Sequence, residues 1–254
     1  MEPWKIGVIA AMLAGLVGFG LYNQSSTQTQ NSANPAKTSI LPAGTPKPSA
    51  YTGSTLLTKQ LPEWGNIKQW LNTPSPIPLA SLKGKVALIE VFRTECSHCQ
   101  EASPFMEAVY DRYKSRGLQI VALQSPGDTK DPQNPENNWA TVKTWVTQHG
   151  LKYPIGFDEK SAWFQGKVPG EKLYPTMMLT DKTGKISFSQ TGFDQDKAIF
   201  LAVAIEKALP TSKPVEERAK DLAEWLIKTF QWPGSDDAAT KKDIIDGLTE
   251  MLKK

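Results

Sequence analysis

The chain has 254 residues, with 29 basic and 26 acidic side chains and only two cysteines. Four lysines and one glutamate fall in residues 1–60, so the rest is balanced at 25 against 25, which argues against the basic stripe of a nucleic-acid binder. Two cysteines exclude a multi-disulfide scaffold, and the core has to hold by packing.

In chain order, the first feature is a run of 17 uncharged residues from Ile6 to Tyr22. As a helix it spans roughly 25 Å, close to a hydrocarbon core of about 30 Å. Trp4 and Tyr22 flank it where aromatic belts lie. Lys5 and the amino terminus face Glu2, and no further charge occurs until Lys37, which orients the N-terminus to the cytoplasm and exports the rest. Residues 1–22 are therefore expected to form a membrane anchor, with a cleaved signal peptide ending near Gly18 and Gly20 as the competing reading. Residues 23–55 are rich in Ser, Thr, Gln, Asn and Pro and lack periodic apolar positions, as in a flexible linker.

A folded domain is expected over 56–210. A helical or loop segment carries Trp64, Trp70 and Leu71. Val86–Phe92 reads as a buried strand, Ser97–Arg116 as a helix stopped by Gly117, and Leu118–Leu123 as a second strand. A loop rich in Pro, Asn and Asp leads to a helix over Trp139–His149, a strand at Tyr153–Phe157 and a short helix near Ser161–Gln165. Tyr174–Thr180 and Lys185–Gln190 flank "DKTG", a hairpin signal. Asp194–Leu209 is an amphipathic helix with Ala198, Leu201, Ala202 and Ile205 inward. This order predicts an α/β fold, a mixed sheet with helices on both faces. Residues 211–254 form a helical extension. Val215, Ala219, Leu222, Leu226 and Phe230 make one stripe, and Ile244, Ile245, Leu248, Met251 and Leu252 a second, with Ser235 as N-cap between them. The two helices either pack on the domain or each other, or form a docking or dimerising hairpin.

Cys96 and Cys99 sit where the first long strand gives way to a helix. A cysteine at a helix N-terminus meets free N–H groups and the positive end of the dipole, which favour its thiolate. Cys96 is then the attacking thiol, and Cys99, one turn inward, attacks the mixed disulfide and resolves it. His98 between them adds a donor and positive charge, which favours the dithiol state and a couple less reducing than thioredoxin. Arg93 pushes the same way and Glu95 the opposite way. Glu90 interrupts the apolar run "VALIEVF". It is either a buried acid that accepts the Cys99 proton, or a carboxylate on a solvated strand face or paired with a lysine. Pro175 is either a cis residue, which would bring its backbone beside another site, or a trans proline starting a strand.

The segments "IPLASLKGKVALIEVFRTECSHC", "GLQIVALQ", "WVTQHGLKYPIGFD" and "YPTMMLTDKTGKI" together resemble the thioredoxin superfamily, in particular membrane-anchored thiol:disulfide oxidoreductases of the TlpA/ResA type and the thioredoxin-like domain of DipZ-type proteins. The resemblance covers about Trp64 to Leu209. It implies a thioredoxin fold, disulfide exchange with protein thiols, and no cofactor. It also implies a membrane redox partner and a soluble domain on the exported side of the membrane. Carried onto this sequence, it makes Cys96, Cys99, His98 and Glu90 the catalytic set and puts substrate against Tyr174, Pro175 and Thr176, with Pro175 cis. Glu95 and Arg93 depart from the aromatic residues common at those places in the family. Ser97-His98 differs from the Gly-Pro of thioredoxin, and its histidine is similar to the Pro-His of DsbA-type oxidants. The TlpA/ResA relatives often act as reductants, opposite to the direction His98 suggests.

Two other classes use the same residues. A non-catalytic scaffold would carry the pair as an inert bridge. A copper or zinc handler would use Cys96, Cys99, His98 and His149, the whole soft-ligand inventory apart from Met thioethers, so no metal site is expected. Haem attachment needs His after the second cysteine, where Gln100 stands. Peroxidatic enzymes place Thr three before the cysteine, whereas Thr94 is two before Cys96. His149, just before Gly150, reads as a helix C-terminal cation.

Overall fold

The computed structural model describes residues 56–65, 67–127, 133–232 and 235–254, so the expected anchor and linker lie outside the described residues. Among the described residues no helix is long and apolar enough to cross a membrane.

The elements are β1 (Trp70–Leu71), β2 (Ala87–Phe92), α1 (Ser97–Tyr113), β3 (Gln119–Gln124), α2 (Trp139–Gln148), β4 (Ile155–Phe157), β5 (Thr176–Thr180), β6 (Ile186–Thr191), α3 (Gln195–Ala208), α4 (Val215–Phe230) and α5 (Ala238–Lys253). One six-stranded sheet runs in the order β1-β4-β3-β2-β5-β6. β2, β3 and β4 are parallel, and β1, β5 and β6 run antiparallel to their neighbours. Every residue of β2 is buried, as a strand covered on both faces requires.

The five α-helices do not divide between the two faces of the sheet. All contribute to one apolar cluster together with Leu88, Phe92, Ile120 and Leu179. The opposite face, carrying Ala87, Ile89, Val91, Val121 and Met178, is covered by Leu56, Leu61, Trp64, Ile67, Leu82, Trp163, Phe164 and Val168, from loops and single 3₁₀ turns. The handedness of crossovers explains this. The steps β2-α1-β3 and β3-α2-β4 both move one strand in the same direction, and right-handed connections then put both helices on the same face. The chain returns to β5, across β2, through the segment that holds Trp163 and Phe164.

Three local expectations are corrected. Trp70–Leu71 is an edge strand, pairing Trp70 with Gly156 and Leu71 with Ile155. The helix expected at Ser161–Gln165 is a 3₁₀ turn over Glu159–Ser161, with Lys160 and Ser161 at φ 57° and 52°. Its place is taken by the Asp158 carboxylate, which accepts from the N–H groups of Trp163 at 2.8 Å and Phe164 at 2.9 Å. The N-cap of α5 is Asp237, which accepts from Thr240 N at 2.8 Å, while Ser235 donates to the Trp232 carbonyl. The hairpin at Asp181–Gly184 forms as expected. Asp181 Oδ1 accepts from Thr183 N and Lys185 N, and Gly184 takes φ +83°.

The C-terminal helices bury both apolar stripes within the chain. Phe105 of α1 is the meeting point, with ring centroids 5.6 Å from Phe193, 5.8 Å from Trp225 and 5.7 Å from Phe230. Beside them Glu206 of α3 is buried. Arg116 binds it through two bonds of 2.7 and 2.9 Å, Arg112 Nη2 lies 3.4 Å away and Arg218 Nε 3.7 Å away. Burial alone would raise this carboxyl, but Arg116, with help from Tyr113 and Arg112, holds it below its ordinary value of 4.5. A group depressed in the folded state contributes stability above its unfolded pKa and loses it as pH falls through the folded value. Glu206→Gln should cost about 2–3 kcal/mol, less than the roughly 3–5 kcal/mol of a fully buried pair because the arginines reach solvent. Urea denaturation at neutral pH measures this loss, and it should shrink as the pH falls below about 4.5.

Candidate active site

β2 ends at Phe92, and four residues later Cys96 caps α1. Cys96 is extended at φ −91° and ψ 116°, so its side chain turns back over the first turn of the helix. Its Sγ accepts from Cys99 N at 3.4 Å and lies 3.6 Å from the Tyr174 carbonyl oxygen. Both cysteines are free thiols, Cys96 half-buried and Cys99 buried. Burial pushes the Cys99 thiol far up, and the neighbouring Cys96 and Glu90 add to this, while a backbone hydrogen bond from Arg93 works against it. The two sulfurs are therefore unequal, one presented to solvent at a helix N-terminus and one held protonated behind it.

Glu90 is buried, on the strand face it shares with Leu88 and Phe92, beneath the cluster that includes Cys99. Among its sequence readings, the solvated strand face is thus excluded. Burial raises its carboxyl to about 8, opposed by a hydrogen bond from the Tyr153 hydroxyl at 3.3 Å. The Tyr174–Pro175 bond is cis, and the Tyr174 carbonyl is the one beside Cys96. The Tyr174 ring meets Phe164 at 5.2 Å and the Arg93 guanidinium at 5.5 Å, and its hydroxyl accepts from Gln165 Nε2 at 3.2 Å. Thr176 is buried and donates to the Leu173 carbonyl at 2.6 Å, closing the turn before β5. Leu173 itself is 48% exposed, the exposed large apolar side chain among the described residues.

His98, expected to add a donor and positive charge near the thiolate, stands in the first turn of α1. Its ring pairs along α1 with Glu101, Nδ1 to Oε2 at 3.3 Å, and both side chains are exposed. His149 caps α2 as the sequence suggests, with its ring stacked 4.1 Å from Trp145. Among the described residues no group of three or more His, Cys, Asp or Glu side chains is arranged to hold a metal ion.

Sequence reasoning missed three contributors. Tyr153 looked like the first residue of a strand, and nothing in its neighbours marks it as a partner of Glu90. Asp158, Ser125 and Ser161 form a buried polar group, with Ser125 Oγ 3.0 Å from Asp158 and 2.8 Å from Ser161, and it supports the turn beneath Tyr174. At Gly127 the backbone lies against the Arg93 guanidinium, and a Cβ there would push that side chain aside. A cavity of about 990 Å³ lined by Trp64, Trp139, Trp163 and Asn137 lies elsewhere, and neither cysteine lines it. Of the pair, Cys96 is the sulfur that reaches the surface, while Cys99 is buried behind it.

A sheet of this order, with a dithiol at the strand-to-helix junction and a cis proline facing it, defines a thioredoxin-like protein. The chain belongs to the Redoxin family, whose sequence pattern matches residues 44–203. It is 35% identical over 112 residues to the thiol-disulfide oxidoreductase ResA of Bacillus thuringiensis (strain Al Hakam), covering 43% of this chain and 57% of that protein. It is 33% identical over 136 residues to protein DipZ of Mycobacterium bovis, covering 52% of this chain and 18% of that one. The chain thus matches about half of ResA and under a fifth of DipZ. The solution structure of a candidate protein disulfide isomerase from Bacteroides thetaiotaomicron superposes with a TM-score of 0.51 at 19% identity, over 60% of this chain and 89% of that one, a likeness of fold.

The inequality of the two thiols is measurable. Limited alkylation at neutral pH followed by peptide mass analysis should label Cys96 at least roughly tenfold faster than Cys99. Cys96→Ser should leave a protein that scarcely reacts until it is unfolded.

Proposed function

We propose that this protein is an exported thiol:disulfide oxidoreductase, tethered through residues 1–22, that exchanges disulfides with protein substrates through Cys96 and Cys99. The observation that carries this reading is the pairing of a half-buried Cys96 at the N-terminus of α1 with a buried Cys99 above Glu90. ResA and DipZ supply the class of reaction by likeness. A membrane redox partner would reset the couple, and the linker over 23–55 would let the domain reach both partner and substrate.

In the reductive direction, the Cys96 thiolate attacks a substrate disulfide. One substrate sulfur bonds to Cys96, and the other leaves as a thiolate. Cys99 then gives its proton to Glu90, and its sulfur attacks Cys96 Sγ. The bond from Cys96 to substrate breaks, the second substrate sulfur leaves as a thiolate, and the Cys96–Cys99 disulfide forms. The protein dithiol is oxidised and the substrate disulfide reduced, two electrons passing between them. Oxidation of substrates is the same sequence in reverse. The Tyr174 carbonyl beside Cys96, with Pro175 and Thr176 behind it, is the surface against which substrate would lie.

Cys99→Ser should accumulate mixed disulfides with exported proteins, visible as thiol-sensitive adducts on non-reducing gels, and Cys96→Ser should not. Equal trapping by both variants would contradict the division of roles. His98 tunes the couple within narrow limits, because its ring lies against Glu101 and both are exposed to solvent. An exposed pair of this kind contributes about 1 kcal/mol or less. His98→Ala should therefore move the potential by less than about 30 mV in glutathione equilibration.

A further inference from the structure

Tyr153 enters the core on the same side as Glu90. Glu90 pairs with Ala122 on β3, and Ala122 pairs with Ile155 on β4. The residue two before Ile155 returns to the same face, which brings the Tyr153 hydroxyl to 3.3 Å from Glu90 Oε2. Both side chains are buried. The segment around Tyr153 is held from two sides. Asn72 Nδ2 donates to the carbonyls of Leu151 at 2.7 Å and Tyr153 at 3.0 Å. Lys152 N donates to Glu107 Oε2 at 2.9 Å, and Lys152 Nζ lies 3.0 Å from Glu107 Oε1. The Tyr110 ring packs edge-on at 6.1 Å. A hydroxyl on so constrained a frame is aimed before any reaction begins.

We infer that Tyr153 is a positioning residue for the resolving step, its hydroxyl donating to the Glu90 carboxylate and holding it ready for the Cys99 proton. The inference rests on the reading of Glu90 as that proton's acceptor. The titratable groups around Glu90 are Cys96 and Cys99 from α1, with Glu107 and Tyr110 further along that helix, and Tyr153 before β4. The neighbouring strands present uncharged Ala122 and Met177 in register with it. Glu90 sits in an apolar pocket in which burial disfavours its charge, and the Tyr153 hydroxyl is the side-chain donor that opposes this. A hydrogen bond to the charged form favours that form. Without it the carboxyl titrates higher, and less of the base is ionised at neutral pH. Each unit of upward displacement removes about nine tenths of the ionised form below the midpoint.

The test uses the full chain in detergent, reduced and mixed with an aromatic disulfide that releases a coloured thiolate. The first release reports attack by Cys96, and the second reports resolution by Cys99. Both rates are followed from about pH 5 to about pH 10, the range over which the base titrates. Tyr153→Phe should leave the first phase unchanged, slow the second about tenfold at pH 7, and move its pH midpoint up by about one unit. Glu90→Gln should remove that midpoint, and Glu90→Gln with Tyr153→Phe should add nothing further. A ring-fluorinated tyrosine at 153, isosteric and a stronger donor, should move the midpoint down, and it replaces the Phe variant should that one fail to fold. A slower second phase with an unmoved midpoint in the Phe variant would mean that Tyr153 supports only the packing, and it would overturn the inference while leaving Glu90 as acceptor. A Glu90→Gln protein whose second phase is unaffected would overturn the reading of Glu90 itself, and the inference with it.

Discussion

The site depends on the donor that points from Cys99 N to Cys96 Sγ. It exists because a strand buried on both faces delivers the chain to the start of a helix, where the Cys99 N–H, which donates to the Cys96 carbonyl at 3.0 Å, also reaches the Cys96 sulfur. A sulfur placed there as the cap takes the place of the usual Ser, Thr or Asp oxygen. The second cysteine follows one turn later, and its side chain is already inside the core. The cap thus leaves one sulfur partly exposed at the helix start and the other behind it in the core. The cis peptide at Tyr174–Pro175 brings a carbonyl to the same sulfur from β5, the neighbour of β2.

Two buried glutamates show how environment separates structure from chemistry. Glu206 is met by three arginines and kept charged, and it ties α1, α3 and α4 together. Glu90 is as deeply buried but has one neutral tyrosine as its side-chain partner, and it titrates near 8. A carboxyl with that value can change its protonation under physiological conditions, and the one at Glu206 does not. The extension formed by α4 and α5 belongs to the first kind of role. Through Trp225 and Phe230 it stacks on Phe105, two turns along the helix that begins at Cys96, and so braces the frame on which the cysteines are mounted.

Much of the fold is legible in local pattern. The strand before the cysteines, the helix after them, the D-K-T-G turn and the apolar stripes of α4 and α5 all follow from residues within a few positions of one another. In two of the three places where local pattern misled, a competing side chain had intervened. Asp158 satisfies the N–H groups that would have started a helix at Ser161, and Asp237 caps α5 two residues past Ser235.

By itself the sequence determined that two thiols stand at a strand-to-helix junction with an acid six residues upstream, because strand, helix and cap are short-range properties of the chain. The side of the sheet that carries the helices was decided by the direction of successive crossovers, a property of the whole topology. The contacts that give the site its chemistry also belong to the tertiary structure. Tyr153 reaches Glu90 across 63 residues, the Tyr174 carbonyl reaches Cys96 across 78, and Arg116 reaches Glu206 across 90. At such separations one sequence pattern is compatible with many pairings, and packing the two apolar faces of the sheet selects among them.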